Sequence, residues 1–239
     1  MREPAKARLA ASVILLRRAE RKGFEVFLTR RHEGMEFLGG MYCFPGGTVR
    51  KEDCSAAMLR RCRGLAAGDA RNIIGAHFAP QQALGLWVAG IRELFEEAGI
   101  LLAVEETGKK SRQAKQNHPA RLAERHAALL DKSLSFKSLL ESEALLCDAS
   151  SLAYFSHWQT PSRLALRFDT RFFLAALPQD QTPLPSSPEV THSLWLTPDS
   201  ALQLFAKDEL PMIFPTFASL RTLADFESLE SAMREFRRS

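Results

Sequence analysis

The sequence has little that would support sulfur chemistry, and nothing long enough to span a membrane. Its four cysteines, Cys43, Cys54, Cys62 and Cys147, form no CxxC pair and stand at no zinc-ligand spacing with histidine. That pattern excludes a zinc ribbon or finger and fits reduced thiols in a cytoplasmic protein. No stretch approaches the roughly 20 apolar residues that a bilayer span requires. The first apolar run, 9–16, is short and leads straight into Arg17 and Arg18, so it suits a strand better than a signal peptide. There is no internal repeat and no low-complexity tract. The sequence also has no interleaved basic and aromatic motif of the RNA-binding kinds, which disfavours nucleic acid as a partner.

Charge of neither sign is scarce. The 32 Lys/Arg and 28 Asp/Glu leave a net +4 over 239 residues. The excess is uneven, with 14 Lys/Arg against 7 Asp/Glu in residues 1–63. A basic N-terminal quarter is either a solvated surface or an attractor for an anionic small molecule. Hydrophobic residues make up 46% of the chain, enough for a core without staples. The length suits one domain over 1–239 with insertions.

Hydrophobic periodicity divides the chain into strands and helices. Runs 9–16 and 24–29 read as two strands joined by a turn at Gly23. Residues 30–53 are a glycine-rich loop containing Phe44-Pro45-Gly46-Gly47. Helical stretches are expected near 54–63 and 69–78. The clearest helix is 84–98, where Leu84, Trp87, Val88, Ile91, Leu94 and Phe95 recur at spacings of three and four and Gly99 ends the pattern. After a polar break, 112–147 reads as helical, with Pro119 suited to a first turn. Strands are expected at 152–158, 168–177 and 192–196. A helix should start at Thr197-Pro198-Asp199, and the tail 216–237 should be helical. Strands mixed with helices imply an α/β sandwich with a mixed sheet.

The informative segment is Arg92-Glu93-Leu94-Phe95-Glu96-Glu97-Ala98-Gly99-Ile100. Glu93, Glu96 and Glu97 stand at i, i+3 and i+4, hence on one side of a helix with Cβ atoms roughly 5–6 Å apart. Three carboxylates that close repel one another, and hard divalent cations relieve the repulsion through oxygen ligation. Arg92 is the i,i+4 partner of Glu96 and is able to hold a carboxylate by a forked hydrogen bond.

These residues resemble the Nudix box, G-x5-E-x7-R-E-U-x-E-E-x-G-U, in which U is a bulky aliphatic residue. Arg92 to Ile100 match its second half at every defined position, and Gly47 matches its first glycine. Asp53 stands where Glu is usual. Residues 54–91 then separate Asp53 from Arg92, where the common box has seven. A comparable interruption, with Asp at the same position, marks the coenzyme A diphosphatase branch of the type called nucleoside diphosphate-linked moiety X motif 19. The resemblance implies a Nudix-type α/β/α sandwich with a helical insertion at about 54–84 and a second helical segment at about 112–147. It implies Mg²⁺ or Mn²⁺ held by Glu93, Glu96, Glu97 and the Gly46 carbonyl, with Glu189 as a further acid. It also implies that Glu93 is a ligand or the base that activates water, that Arg92 orients Glu93 or Glu96, and that Asp53 is structural or supports the ligands from behind. Diphosphate hydrolysis fits these parts, since it requires neutralised phosphoryl oxygens and a nucleophile made from water.

A second resemblance concerns the substrate. Thr29, Arg31, Gly40 and Phe44-Pro45-Gly46-Gly47 fall in register with a motif frequent in coenzyme A diphosphatases, although His32 and Glu36 depart from it. His157-Trp158-Gln159-Thr160-Pro161 and Arg167-Phe168-Asp169-Thr170-Arg171-Phe172-Phe173 resemble the same branch. The implied substrate-binding residues are Arg30, Arg31, Gly40, Phe44 and Gly47. The implied substrate is coenzyme A or acyl-coenzyme A, with the insert or the 112–147 segment as source of an apolar groove. The alternatives are ADP-ribose or another nucleoside diphosphate derivative, and, from a different class, a non-catalytic nucleotide-sensing module. Arg171 within an apolar strand requires a partner, Asp169 or a ligand phosphate. Trp158, Phe172 and Phe173 read as core. The sequence leaves monomer and homodimer both open.

Overall fold

The computed structural model describes residues 6–35, 38–106, 118–184, 187 and 189–237. Glu36 lies outside them. The main sheet is built on β1 (Arg8–Arg18), β2 (Phe24–Arg31), β8 (Leu152–Gln159), β9 (Phe168–Ala176) and β10 (Val190–Leu196), in the order β10-β2-β1-β9-β8. Two short strands extend it: β3 (Tyr42–Cys43) pairs with β2, and β4 (Gly46–Thr48) pairs with β1. β1 and β9 run parallel and the remaining pairs antiparallel, so the sheet is mixed.

The long apolar run of β1 follows from its place at the centre. A strand covered on both faces reads as continuous hydrophobic sequence rather than alternating sequence. Ala11, Val13 and Leu15 point to one core, shared with Trp87, Ile91 and Leu94 of α3 (Pro80–Ala98). Ile14 and Leu16 point to another, shared with Ala201 of α6 (Pro198–Ala206), Leu220 and Leu223 of α7 (Phe214–Leu223), and Met233 of α8 (Leu229–Arg237). Helix layers on both faces make the α/β/α sandwich expected from the sequence.

Helix α3 begins four residues earlier than its apolar periodicity indicates, because Pro80 occupies its first turn. Gly99 ends it at φ 69°, where its amide donates to the Phe95 carbonyl at 2.9 Å. α3 is buried on nearly every side, including Arg92, Glu93 and Glu97. The second covering layer comes from α2 (Ala67–Ile74) and α4 (His118–Leu130), which contribute Ala70, Ile74, Leu122 and Leu129 to the same core.

Some expectations are corrected. Of 54–63 only α1 (Ala56–Leu59) is α-helical, and Cys62–Arg63 is a strand, β5. Within 112–147, residues 112–117 lie outside the described set, and the rest is not one helix. α4 ends at a turn where Lys132 has φ 65°, α5 (Phe136–Ser142) starts afresh on a Ser135 cap, and Leu145–Asp148 is strand β7. β7 sits between β5 and β6 (Ala103–Glu105) in a separate three-stranded sheet. Pairing with distant strands overrides helical periodicity here. The tail is likewise two helices, broken where Ser228 and Ser231 bond to each other. Among the described residues no helix is long and apolar enough to cross a membrane.

Candidate active site

The acidic face of α3 meets the glycine turn that enters β4. Gly46 and Gly47 pair with Ser12 and Ala11 of β1, and the Gly46 amide donates to Glu97 Oε2 at 3.3 Å. Gly47 lies directly against the Glu93 carboxyl: a Cβ there would stand 2.6–2.7 Å from Cδ, Oε1 and Oε2. A Cβ fits there only if the Glu93 carboxyl moves aside. Gly47→Ala is therefore expected to push Glu93 from its place and lower kcat about 10–100-fold, the usual effect of losing support around a ligand. Steady-state kinetics check it, and wild-type turnover would show that Glu93's position does not matter.

Arg92 is the hub of the cluster. Its Nε and Nη2 both reach Asp53, each at 2.9 Å, in a forked pair that is almost wholly buried. Nη1 reaches Glu93 Oε1 at 2.6 Å and Glu96 Oε2 at 3.1 Å, and Nη2 also donates to the Thr48 carbonyl at 2.9 Å. Burial acts to lower the Arg92 pKa, but the Asp53 hydrogen bonds and the Glu93, Asp53 and Glu96 charges outweigh it and keep the guanidinium firmly charged. Asp53, 39 residues distant in sequence, thus holds the arginine that holds two of the three glutamates.

Glu96 is gripped from outside as well. Arg50 makes a second forked pair with it, at 2.8 and 2.7 Å, from a half-exposed side chain. From α4, His126 Nε2 donates to the Glu96 carbonyl at 2.9 Å while its ring meets Phe95 edge-on. Sequence reading did not single out Arg50 or His126. Arg50's place two residues beyond β4 was a usable signal; His126 carries none, since only the packing of α4 on α3 brings it there.

Glu97 faces a different surrounding. Burial pushes its pKa well above the usual carboxylate range, the Glu93 and Glu189 charges add to the push, and Arg31 and the Gly46 amide oppose it. Burial also raises Glu93, against the pull of Arg92. Arg31 stands 3.9 Å from Glu189, and its Nε is buried without a hydrogen-bond partner. Arg30 points elsewhere: it donates to the Gly40 carbonyl at 3.1 Å and to Glu33 at 3.1 Å. Cys43 lies in the same surroundings as Glu97, and burial raises its thiol to about 11. Phe44 is buried, with its ring edge-on to Phe172 at 6.3 Å.

The structure therefore brings Glu93, Glu96, Glu97, Arg92, Gly46 and Gly47 together, with Glu189 and Arg31 beside Glu97. It sends Arg30 and Gly40 to each other. Arg171 finds Asp169, which also meets His157, and packs against the Phe78 ring.

Among the described residues no three Asp, Glu, His or Cys side chains converge closely enough to cage an ion. Arg92 and Arg50 hold Glu93 and Glu96 instead. The donor set nevertheless fits a hard cation, because it consists of oxygens and places the desolvated Glu97 beside the like-charged Glu93.

Residues 67–223 match the family model of the NUDT19 Nudix domain. The acyl-coenzyme A diphosphatase NUDT19 of Gallus gallus is 32% identical over 240 residues, covering 86% of this chain and 62% of that protein. The chain thus spans about three fifths of the length of that relative. The human protein of the same name is 27% identical over 95% of this chain and 71% of its own. Among solved structures, a NUDIX hydrolase from Alicyclobacillus acidocaldarius superposes with a TM-score of 0.78, at 28% identity and 96% coverage of both chains. Nudix hydrolases in general use divalent metal ions. The interrupted box around Gly47, Asp53 and Arg92, the sandwich and the family match agree: the chain belongs to the NUDT19 branch of the Nudix hydrolases.

Proposed function

We propose that the chain hydrolyses the diphosphate linkage of coenzyme A or acyl-coenzyme A. The observation that carries this reading is the meeting of Glu97 and Glu93 with the Gly46-Gly47 turn, beside Arg31 and Glu189. The names of the chicken and human relatives support the substrate class.

Glu93, Glu96 and Glu97, with the Gly46 carbonyl and Glu189, would hold Mg²⁺ or Mn²⁺. Such ions neutralise phosphoryl oxygens and polarise attacking water. Arg92, itself pinned by Asp53, keeps Glu93 and Glu96 on the turn. Glu93 serves as a ligand or as the base that takes the proton from water. Arg50, half exposed, grips Glu96 from the solvent side. Arg31, 3.9 Å from Glu189, puts a cation beside Glu97 where a substrate phosphate would meet it. If it binds the 3′-phosphate of coenzyme A, Arg31→Ala raises KM for coenzyme A more than for the 3′-dephospho form. We read residues 54–84 as an insertion in one catalytic unit over 1–239. Its apolar side chains Met58, Ala70 and Ile74 face α3, so it braces the catalytic helix.

Turnover of coenzyme A, acyl-coenzyme A, ADP-ribose, NADH and diadenosine polyphosphates with Mg²⁺ and with Mn²⁺ tests the reading. Coenzyme A derivatives should be preferred by kcat/KM, and faster turnover of ADP-ribose would sink the substrate assignment.

Glu97 also predicts a pH dependence of stability. A carboxyl raised in the folded state binds its proton more tightly there than in the unfolded chain. Its contribution to stability is therefore complete below the ordinary value of 4.5 and is lost as pH rises through the elevated folded value. The metal-free Tm should fall across that interval, and Mg²⁺ or Mn²⁺ should restore more of it at pH 8 than at pH 5. Differential scanning calorimetry with and without chelator decides; metal stabilisation equal at both pH values contradicts it.

A further inference from the structure

The carboxylates assigned to the candidate site do not all come from one element. Glu93, Glu96 and Glu97 keep their spacing because they share α3. Glu189 arrives from the other end of the chain, immediately before β10. Its side chain is 61% exposed, and it is near enough to Glu97 for the two like charges to act on each other. Burial does not hold Glu189 there, and Glu97 repels it. Apart from Arg31, 3.9 Å away, what keeps the two carboxylates together has to be the backbone that carries them.

The segment that runs from β9 to β10 is fastened to the C-terminal end of α3. The Leu184 amide donates to the carbonyl of Ala98, the neighbour of Glu97, at 2.9 Å. That carbonyl is one of those a helix end leaves without an intrahelical partner. The Leu184 side chain covers Gly99 so closely that a Cβ there would stand 2.6 Å from it. Gln181 adds a double bond to the chain just beyond the helix: the Leu101 amide donates to Gln181 Oε1 at 2.8 Å, and Gln181 Nε2 donates to the Leu101 carbonyl at 2.9 Å. Leu101 is 3% exposed and lies outside the ladder of β6, so the Gln181 amide, with one donor face and one acceptor, takes the part of a neighbouring strand. At the far end of the segment the His32 amide donates to the Glu189 carbonyl at 3.1 Å, and Ser187 and Val190 exchange backbone bonds at 3.2 and 3.1 Å.

We propose that Gln181 and Leu184 are positioning residues for the metal site: by clamping the β9–β10 crossover to the end of α3, they set the distance between Glu97 and Glu189. The inference rests on the reading of these two glutamates as metal ligands and adds the device that brings the second to the first. Both residues act through Glu189. A clamp with a purely structural role would lower the melting temperature when broken and leave metal affinity unchanged.

The test is calorimetric titration with Mn²⁺ of Gln181→Met, Leu184→Ala, Glu189→Gln, and each clamp variant combined with Glu189→Gln. Gln181→Met keeps the length of the side chain and loses both bonds. Leu184→Ala keeps the backbone bond and opens the space over Gly99, so it carries the test should Gln181→Met not fold, which melting curves establish. Glu189→Gln should weaken Mn²⁺ binding about tenfold. Each clamp variant should weaken it by a similar factor, at the low end of the roughly 10–100-fold usual for groups that orient metal ligands. In the Glu189→Gln background either clamp variant should add less than about twofold, because residues that act through one group are not additive with its loss. Wild-type Mn²⁺ affinity in both clamp variants, or losses that multiply in full in the doubles, overturns the clamp while leaving the ligand reading in place. Wild-type affinity in Glu189→Gln removes Glu189 from the site and the clamp with it. The titration needs no substrate, so its outcome is independent of which diphosphate the enzyme cleaves.

Discussion

Glu97→Gln is expected to lower kcat by about 10²–10⁴, since loss of a charged group from the proposed metal site removes several kcal/mol of transition-state stabilisation and each 1.36 kcal/mol is a factor of ten. The same substitution should leave the metal-free protein at least as stable as wild type. Glu97 is buried beside Glu93 with its carboxyl pushed well up by desolvation, so a neutral amide of the same shape relieves an unfavourable charge. It keeps an oxygen that can accept from the Gly46 amide at 3.3 Å. Stabilisation by Mg²⁺ should shrink, because ligand binding to the folded state alone raises stability with the logarithm of affinity. The combination is diagnostic: activity and metal response fall while the metal-free Tm does not. Near wild-type kcat at saturating substrate would remove Glu97 from the site. Glu96→Gln should act in the same direction on kcat, but it also frees Arg50 and one Arg92 contact, so its metal-free Tm carries no such promise.

The largest effect on stability is expected from Asp53→Ala. Asp53 and Arg92 are both almost inaccessible, and two parallel hydrogen bonds of 2.9 Å join them. Truncating one partner of a buried pair leaves an uncompensated charge, at a cost of about 3–5 kcal/mol. Glu93 and Glu96 remain to balance Arg92, which places the expected loss toward the lower end of that range. Activity should fall too, because an Arg92 no longer pinned does not hold Glu93 against Gly47. Replacing both residues, as Asp53→Ala with Arg92→Met, should recover part of the stability but none of the activity. Urea unfolding of the single and double variants measures this. A loss under about 1 kcal/mol for Asp53→Ala, below the cost of stranding a buried polar group, would show that the pair is not the anchor described.

Much of the architecture was readable because it depends on local periodicity. β1, β2, β8 and β9 came from apolar runs, and α3 from its three-and-four spacing. Errors arose where distant partners decide the local state. Leu145–Asp148 follows a helical stretch in sequence but becomes a strand because β5 and β6 flank it. β3 and β4, two and three residues long, have no periodicity to detect and exist only by pairing with β2 and β1. Arg30 and Arg31 look equivalent in sequence, yet successive strand residues face opposite ways, and only Arg31 turns toward Glu97.

What the sequence by itself determined is the set of chemical groups: three glutamates on one side of one helix, an arginine among them, and a glycine pair that has to approach them. Those relations are local, set by the 3.6-residue turn and by the absence of a Cβ. Only the tertiary structure decided how the charges are shared. Arg92 goes chiefly to Asp53, Arg50 to Glu96 and Arg31 to the neighbourhood of Glu97 and Glu189, across separations of up to 158 positions between Arg31 and Glu189. Charge attraction is nearly indifferent to which partner is chosen; burial is not. The sheet and the layer of helices over α3 fix which carboxylates lose their water, and these are the ones that an arginine or a metal ion has to satisfy.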